Sequence, residues 1–220
     1  GRADVADAPG VPLRIGEQTL VVDRPWLMGI VNATPDSFSD TGEHSSDNAR
    51  IELAREQIRD GARVIDIGGQ SGITGVPEID PSDEIHRVLP VVHGLRGTEG
   101  VLTSIDTYKP AVVGAVLEAG ASIINDVSGL LYPDVAGLCA DHHAGLVLMH
   151  NRSKPKQRLT DPYLYDNVLV DIVEFLEEKM AVAIHHGVDE QSIILDPGPD
   201  FSKTPFQTIE TIRGIERVLA

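Results

Sequence analysis

The feature that narrows the fold most is an alternation. Six short apolar runs, LMGIVN, RVIDIG, VLTSID, SIINDV, GLVLMH and SIILDP, are each followed by a longer amphipathic stretch, over residues 47–60, 81–95, 109–119, 133–142, 164–186 and 206–219. Strands with almost no polar position belong to a parallel sheet covered on both faces, because a sheet with one wet face shows alternating polar residues. Six βα units in a row put the chain in the α/β class and leave a barrel or an open sheet. An internal echo favours the barrel. GARVIDIGG at 61–69 and GASIINDVSG at 120–129 share Gly-Ala, a polar residue, a β-branched pair, then a polar residue and Gly. In each, the leading glycine ends a helix in the left-handed region and the strand starts at once. Upstream, PLRIGEQTLVV sets two β-prone runs around Gly16-Glu17 and predicts a hairpin. Residues 1–10 are small, polar and bear Pro and Gly, and are expected to be disordered, leaving 11–220 as one barrel domain.

Asn32, Asp66, Asp106, Asn125, His150 and Asp196 each fall at the C-terminal end of a predicted strand. In a parallel barrel those ends surround one mouth. Any one of them reads equally well as a helix cap or turn residue; six at equivalent positions point to a site. No carboxylate is expected in mid-strand, where burial without a partner is costly. A complete eight-stranded barrel takes about 250 residues. Only six units fit here, and IETIRGIERVLA carries no stop signal, so the last two units are expected to be absent, with an intact six-unit open fold as the alternative.

Charge and composition remove other classes. With 18 Lys and Arg against 34 Asp and Glu the net charge is -16, which disfavours nucleic acid and anionic membranes. A local cluster of N–H groups, cations and a metal still accommodates an anionic substrate. No apolar run reaches bilayer length, the start has no signal pattern, and Cys139 is the sole cysteine, so a soluble cytoplasmic protein is expected. The pairs His142-His143 and His185-His186 read as surface helix ends, and Cys139 as packing. His150 reads as either a buried, hydrogen-bonded or a catalytic histidine. NRSKPK, residues 151–156, is a basic loop beside the mouth.

The most specific string is MGIVNATPDSFSDTG at 28–42, followed in order by GARVIDIGGQS, SIDTYKPAV, AGASIINDVSGL, LVLMH and IILDPGPDFSKT. Through these strings, which cover the chain from about residue 12 to its end, the sequence resembles the dihydropteroate synthase family. The resemblance implies a pterin-binding (β/α)8 TIM barrel. It also implies condensation of 6-hydroxymethyl-7,8-dihydropterin pyrophosphate with p-aminobenzoate to give dihydropteroate and pyrophosphate. By the family's motifs, Asp106, Asn125 and Asp196 would read the pterin edge, whose amino and ring N–H groups need acceptors in one plane. Met149 and Phe201 would flank the ring and Val127 would close the slot; taken alone, Met149 and Val127 read as barrel core. Asn32 would be the ligand for a Mg2+ that also holds the leaving pyrophosphate, as suits a hard cation held by one or two protein oxygens plus phosphate and water. Asp36 on the first loop and Lys203 on the sixth complete the implied catalytic set. Ser71 and Thr74 on the second loop would serve the p-aminobenzoate side. The implied chemistry is displacement at the pterin methylene, with no general base demanded because a neutral arylamine is already the nucleophile.

Two loops depart from the family pattern. Gly68-Gly69-Gln70-Ser71-Gly72-Ile73-Thr74-Gly75 stands where Gly-Gly-Glu-Ser-Thr-Arg-Pro-Gly is usual, so the planar Arg cation is lost. Gly198-Pro199-Asp200-Phe201-Ser202-Lys203-Thr204 stands where Gly-Ile-Gly-Phe-Gly-Lys-Thr is common, which adds the charge of Asp200. Both changes bear on the second substrate more than on the pterin. A non-catalytic pterin-binding paralogue and a pterin-dependent methyltransferase are the alternative readings, and TPDSFSD and LVLMH fit the synthase better. The implied partners are the two small substrates and, by family habit, a second copy in a homodimer.

Overall fold

Caps and turns set the element boundaries in the computed structural model, which describes residues 10–34, 46–72 and 74–218. The hairpin is β1 (Val11–Ile15) and β2 (Gln18–Val22), paired antiparallel with Ile15 opposite Gln18, so Gly16-Glu17 form the two-residue turn and Gly16 takes the positive φ of 59° that such a turn needs. Six βα units follow: β3 (Leu27–Asn32), α1 (Asp47–Arg59), β4 (Ala62–Gly68), α2 (Pro81–Leu95), β5 (Leu102–Asp106) and α3 (Pro110–Glu118), then β6 (Ile123–Asp126), α4 (Asp134–Asp141), β7 (Gly145–Met149), α5 (Val168–His185), β8 (Ile193–Asp196) and α6 (Pro205–Arg213), with a last turn α7 (Ile215–Val218).

Local chemistry explains where the helices begin. Ser46 accepts from the Ala49 N–H at the start of α1, and Asp80 accepts from the Ser82 N–H ahead of α2, whose first turn carries Pro81, Asp83 and Glu84. Thr204 and Gln207 form a reciprocal capping box at α6, with Pro205 in the first turn. Two expected boundaries move. The 164–186 stretch becomes helical only at Val168, because Asn167 caps the N–H groups of Leu169 and Val170. The 206–219 stretch is two pieces, because Gly214 ends α6.

All six strands from β3 to β8 are parallel and hydrogen-bonded in sequence order, β3 and β8 being the edge strands among the described residues. The sheet is a six-stranded arc of a barrel, as expected of a chain that represents the barrel in part. Side chains alternate across it. Val31, Ile65, Ile67, Ile105, Ile124, Leu146 and Leu148 face the helices and are fully buried, each contributing roughly 1.5–3 kcal/mol. Val64, Ile123 and Val147 face the other way and form a second cluster with Ile15, Trp26, Leu102 and Ile194.

The hairpin closes the base of that inner cluster. The Gly16 N–H donates to the His143 carbonyl at 2.7 Å, and the Ser192 hydroxyl donates to the Arg14 carbonyl at 2.8 Å. Ile15 sits so close to β7 that a Cβ on Gly145 would lie 2.6 Å from its Cδ1. Gly145→Val is therefore expected to destabilise the protein by about 1–3 kcal/mol through overpacking. Urea titration measures this, and an unchanged midpoint would remove the hairpin from the core.

Of the expectations for residues 1–10 and for Asp36, all but Gly10 lie outside the described residues.

Candidate active site

Strand register assembles the site. Asn32 pairs with Gly68, Gly68 with Asp106, Asp106 with Asn125, and Asn125 with Val147, so these residues form one row around the C-terminal rim of the inner face. Met149 pairs with Asp196 one step beyond, on the same face. The expected pterin readers Asp106, Asn125 and Asp196 are thus on adjacent or nearly adjacent strands. Val127 follows β6 directly, and Phe201 sits on the loop after β8, 44% exposed. Gly68 leaves a gap in the row: a Cβ there would be 3.7 Å from the Asp106 Oδ2 and 4.0 Å from the Asn32 Oδ1.

One row lower, the structure corrects an expectation. Asp66 is a mid-strand carboxylate, followed in β4 by Ile67 and Gly68 and buried to 7% exposure. It is tolerated because it has partners. The Ser104 hydroxyl donates to Oδ1 at 2.6 Å and the Asn125 amide donates to Oδ2 at 3.2 Å. Burial still outweighs those bonds and raises its pKa. Because Asp66 takes an Asn125 N–H, the amide is oriented with Oδ1 and one N–H left for a ligand. Sequence reasoning placed Asp66 at a strand end, and only the register with Ser104 and Asn125 shows its supporting role.

Beside this row lies a cavity of about 170 Å³ whose walls include Ser71, Thr74, Asp106, Val127 and Phe201 of the expected set, with Lys154 and Lys156 of the basic loop. Asn32, Asn125, Met149, Asp196 and Lys203 are not among its lining residues. Met149 is 2% exposed. The second loop is fastened to the basic loop: Lys156 donates from Nζ to the Ser71 carbonyl, and the Gly75 N–H donates to the Lys156 carbonyl at 3.0 Å.

Gln70, where the family pattern has Glu, is a hub. Its Nε2 donates to the Tyr108 hydroxyl at 3.1 Å, while its Oε1 accepts from the Ile79 N–H and from the Lys109 ammonium, each at 3.0 Å. Lys109 also ion-pairs with buried Glu84 at 2.9 Å. Burial, then the negative charges of Asp66, Glu84 and Asp126, push the Asp106 carboxyl up to about 7, with Lys156 acting the other way. Tyr108, Lys109 and Glu84 went unread in the sequence because they come from two segments, the loop after β5 and the first turn of α2, that only the fold brings together. The adjacency Thr-Tyr-Lys-Pro after β5 was the available hint.

Asp196 is held by the Gly198 N–H, which donates to Oδ1 at 2.8 Å. Lys203, expected in the catalytic set, is placed differently. It is fully buried, and its ammonium is taken up by the Gly198 carbonyl at 2.8 Å, the Phe201 carbonyl at 3.0 Å and the His150 Nδ1 at 2.8 Å. An ammonium has three donors, so none is left for a substrate. His150 is likewise fully buried, with Nε2 on the Asp171 carboxylate at 2.8 Å. Burial first, and then the Lys203 charge, depress its pKa to about 4, so it is neutral near pH 7.

The six-stranded parallel arc thus carries two carboxylates, Asp106 and Asp196, and the Asn125 amide at the C-terminal rim of its inner face, above an apolar base. Residues 28–220 match the model of the pterin binding enzyme family. The dihydropteroate synthase of Bacillus subtilis (strain 168) is 41% identical over 195 residues, which are 88% of this chain and 66% of that one. The Yersinia pestis dihydropteroate synthase, solved in a sulfonamide drug complex, superposes with a TM-score of 0.86 at 34% identity, over 94% of this chain and 75% of that chain. The Burkholderia cenocepacia dihydropteroate synthase complexed with 7,8-dihydropteroate gives 0.84 at 33% identity, over 96% and 72%. The chain belongs to the dihydropteroate synthase family. Among the described residues no helix is long and apolar enough to cross a membrane.

Proposed function

We propose that this chain supplies the pterin-reading part of a dihydropteroate synthase, a transferase of folate biosynthesis that joins a dihydropterin pyrophosphate to p-aminobenzoate. The observation that carries the reading is the rim row itself, in which Asp106, Asn125 and Asp196 stand on one face with Asp66 orienting the amide. Carboxylates accept from the pterin amino and ring N–H groups, and an analogue lacking those donors leaves them unpaired, which supplies discrimination. Val127 and Met149 give apolar surface to the ring. The bound 7,8-dihydropteroate of the Burkholderia cenocepacia relative contains both halves of the product.

The cavity bounded by Ser71, Thr74, Val127, Phe201 and Lys156 takes the arylamine. The arylamine nitrogen attacks the pterin methylene as the carbon–oxygen bond to pyrophosphate breaks, and the nitrogen then loses its proton to solvent. The chain's part is to hold the two substrates in contact and keep water from the methylene.

Mg2+ fits the rim. Asn32 and Asp106 bring oxygen atoms to either side of Gly68, and a magnesium ion held through one or two protein oxygens plus phosphate needs no larger cluster. Asn32 would hold it, and bound there it would neutralise charge on the departing pyrophosphate. A cytoplasmic location is supported by buried, unpaired Cys139. A homodimer of the complete protein is part of the proposal, to be read from its molar mass in solution.

The test is calorimetric titration of the pterin pyrophosphate into the complete protein with Mg2+, followed by p-aminobenzoate and an assay for released pyrophosphate. Binding followed by arylamine-dependent release is expected. Binding without release would reduce the protein to a pterin-binding paralogue, and absence of binding would end the proposal.

A further inference from the structure

The loop after β8 has unusual backbone demands. Gly198, Asp200 and Ser202 take positive φ values of 60°, 70° and 53°, although only the first lacks a side chain. Two non-glycine residues in the left-handed region within five positions need something that holds them there. Lys203 provides it from beneath, donating to the carbonyls of Gly198 and Phe201 and thereby tying both ends of the turn to one ammonium. The third donor goes to His150, which is held in turn by Asp171, and Asp171 is gripped by the Arg152 guanidinium at 3.0 Å through both Nε and Nη2.

Ser202 fastens the other side. Its hydroxyl donates to the Asn151 Oδ1 at 2.6 Å and accepts from the Ser153 N–H at 2.8 Å, and its carbonyl accepts from the Tyr165 hydroxyl at 2.8 Å. Two consecutive residues of the β8 loop, Ser202 and Lys203, thus lock onto two consecutive residues of the β7 loop, Asn151 and His150. The turn so held carries Phe201 into the cavity wall, and the Gly198 N–H that holds Asp196.

We infer that Lys203 is a positioning residue: a buried clamp that sets the places of Phe201 and Asp196 for the pterin without touching the substrate. The neutral state of His150 fits this role, since an imidazolium could not accept from the ammonium. The choice of pterin as ligand rests on the function proposed above, whereas the clamp itself is read first without any ligand.

The experiment labels the complete protein with fluorophenylalanine. The chain has 4 Phe, so the fluorine spectrum is sparse, and Phe201→Leu assigns the line of interest. In Lys203→Met the Phe201 line is expected to broaden or split while the line of surface-exposed Phe206 stays put. Affinity for the pterin pyrophosphate, titrated in parallel, is expected to fall at least 10-fold. Val91→Ala, a buried change on α2, an element that carries no member of the clamp, serves as the comparison for general loss of stability and is expected to leave the Phe201 line and the affinity unchanged. If Lys203→Met does not fold, Asp171→Asn loosens the same clamp from its partly exposed end and is expected to give a smaller change of the same kind. A folded Lys203→Met or Asp171→Asn protein with an unchanged Phe201 line overturns the inference, as does equal loss in Val91→Ala. A parent protein that binds no pterin would overturn the proposed function, and the Phe201 line would still decide the clamp.

Discussion

Asp106→Asn is expected to make the unliganded protein more stable above pH 7 while costing it most of its affinity for the pterin. Burial, reinforced by Asp66, Glu84 and Asp126, raises the Asp106 carboxyl to about 7. A carboxyl raised in the folded state holds its proton more tightly folded than unfolded. Its contribution is therefore most favourable below the ordinary carboxylate range and is lost as pH climbs through about 7. The amide carries no charge at either end of that window. Urea titrations should show Asp106→Asn gaining about 1–3 kcal/mol over the parent at pH 8 and little at pH 4. The same carboxylate must be ionised to accept from two pterin donors. Parent affinity should consequently strengthen as pH rises through 7, and the Asn variant should bind about 100-fold more weakly, a loss of ~3 kcal/mol. A variant with no gain in stability at pH 8 would sink the account of crowded charge, and one with parental affinity would remove Asp106 from the pterin site.

Gly198→Ala is the second large effect. The added Cβ would fall inside contact distance of the His150 carbonyl oxygen, and the backbone at φ 60° is costly for any residue with a side chain. The oxygen belongs to a main chain that also receives β8, since the His150 N–H donates to the Asp196 carbonyl at 2.8 Å, so it has nowhere to retreat. A destabilisation of about 3 kcal/mol or more is expected, seen as a lower midpoint in urea. Pterin binding should weaken with it, because Asp196 loses the N–H that holds it. A mild effect on both would mean that the β7–β8 junction yields more easily than its packing indicates.

The strands were legible because each is a short run of β-branched and aliphatic residues bounded by Gly, Pro or a polar residue, and that length, composition and flanking separate such runs from the longer amphipathic helices between them. The rim residues Asn32, Asp106, Asn125 and Asp196 were legible because each ends such a run. Asp66 was misplaced by two positions: Ile67 and Gly68 extend β4 beyond it, and a sequence does not announce that Ser104 and Asn125 lie within reach. The role of Lys203 was hidden for the same reason, since its partners His150 and Gly198 are joined only by the β7–β8 register. The network of Gln70, Tyr108, Lys109 and Glu84 joins two successive βα units, and charge counting sees only single residues there. Gly214 is a visible helix breaker, yet the apolar pattern on either side of it concealed the break.

The base of the barrel has a consequence for the order in which the chain is built. Arg14 meets Asp189 across 175 positions of sequence, and the Ser192 hydroxyl reaches the Arg14 carbonyl across 178. A ribosome delivers the hairpin well before these two neighbours. Until β8 has joined the sheet, Ile15 has little to press against beyond the strands already made, and the two short strands of the hairpin must wait as a marginal pair. The segment that covers the inner cluster is made before the partners that commit it to its place.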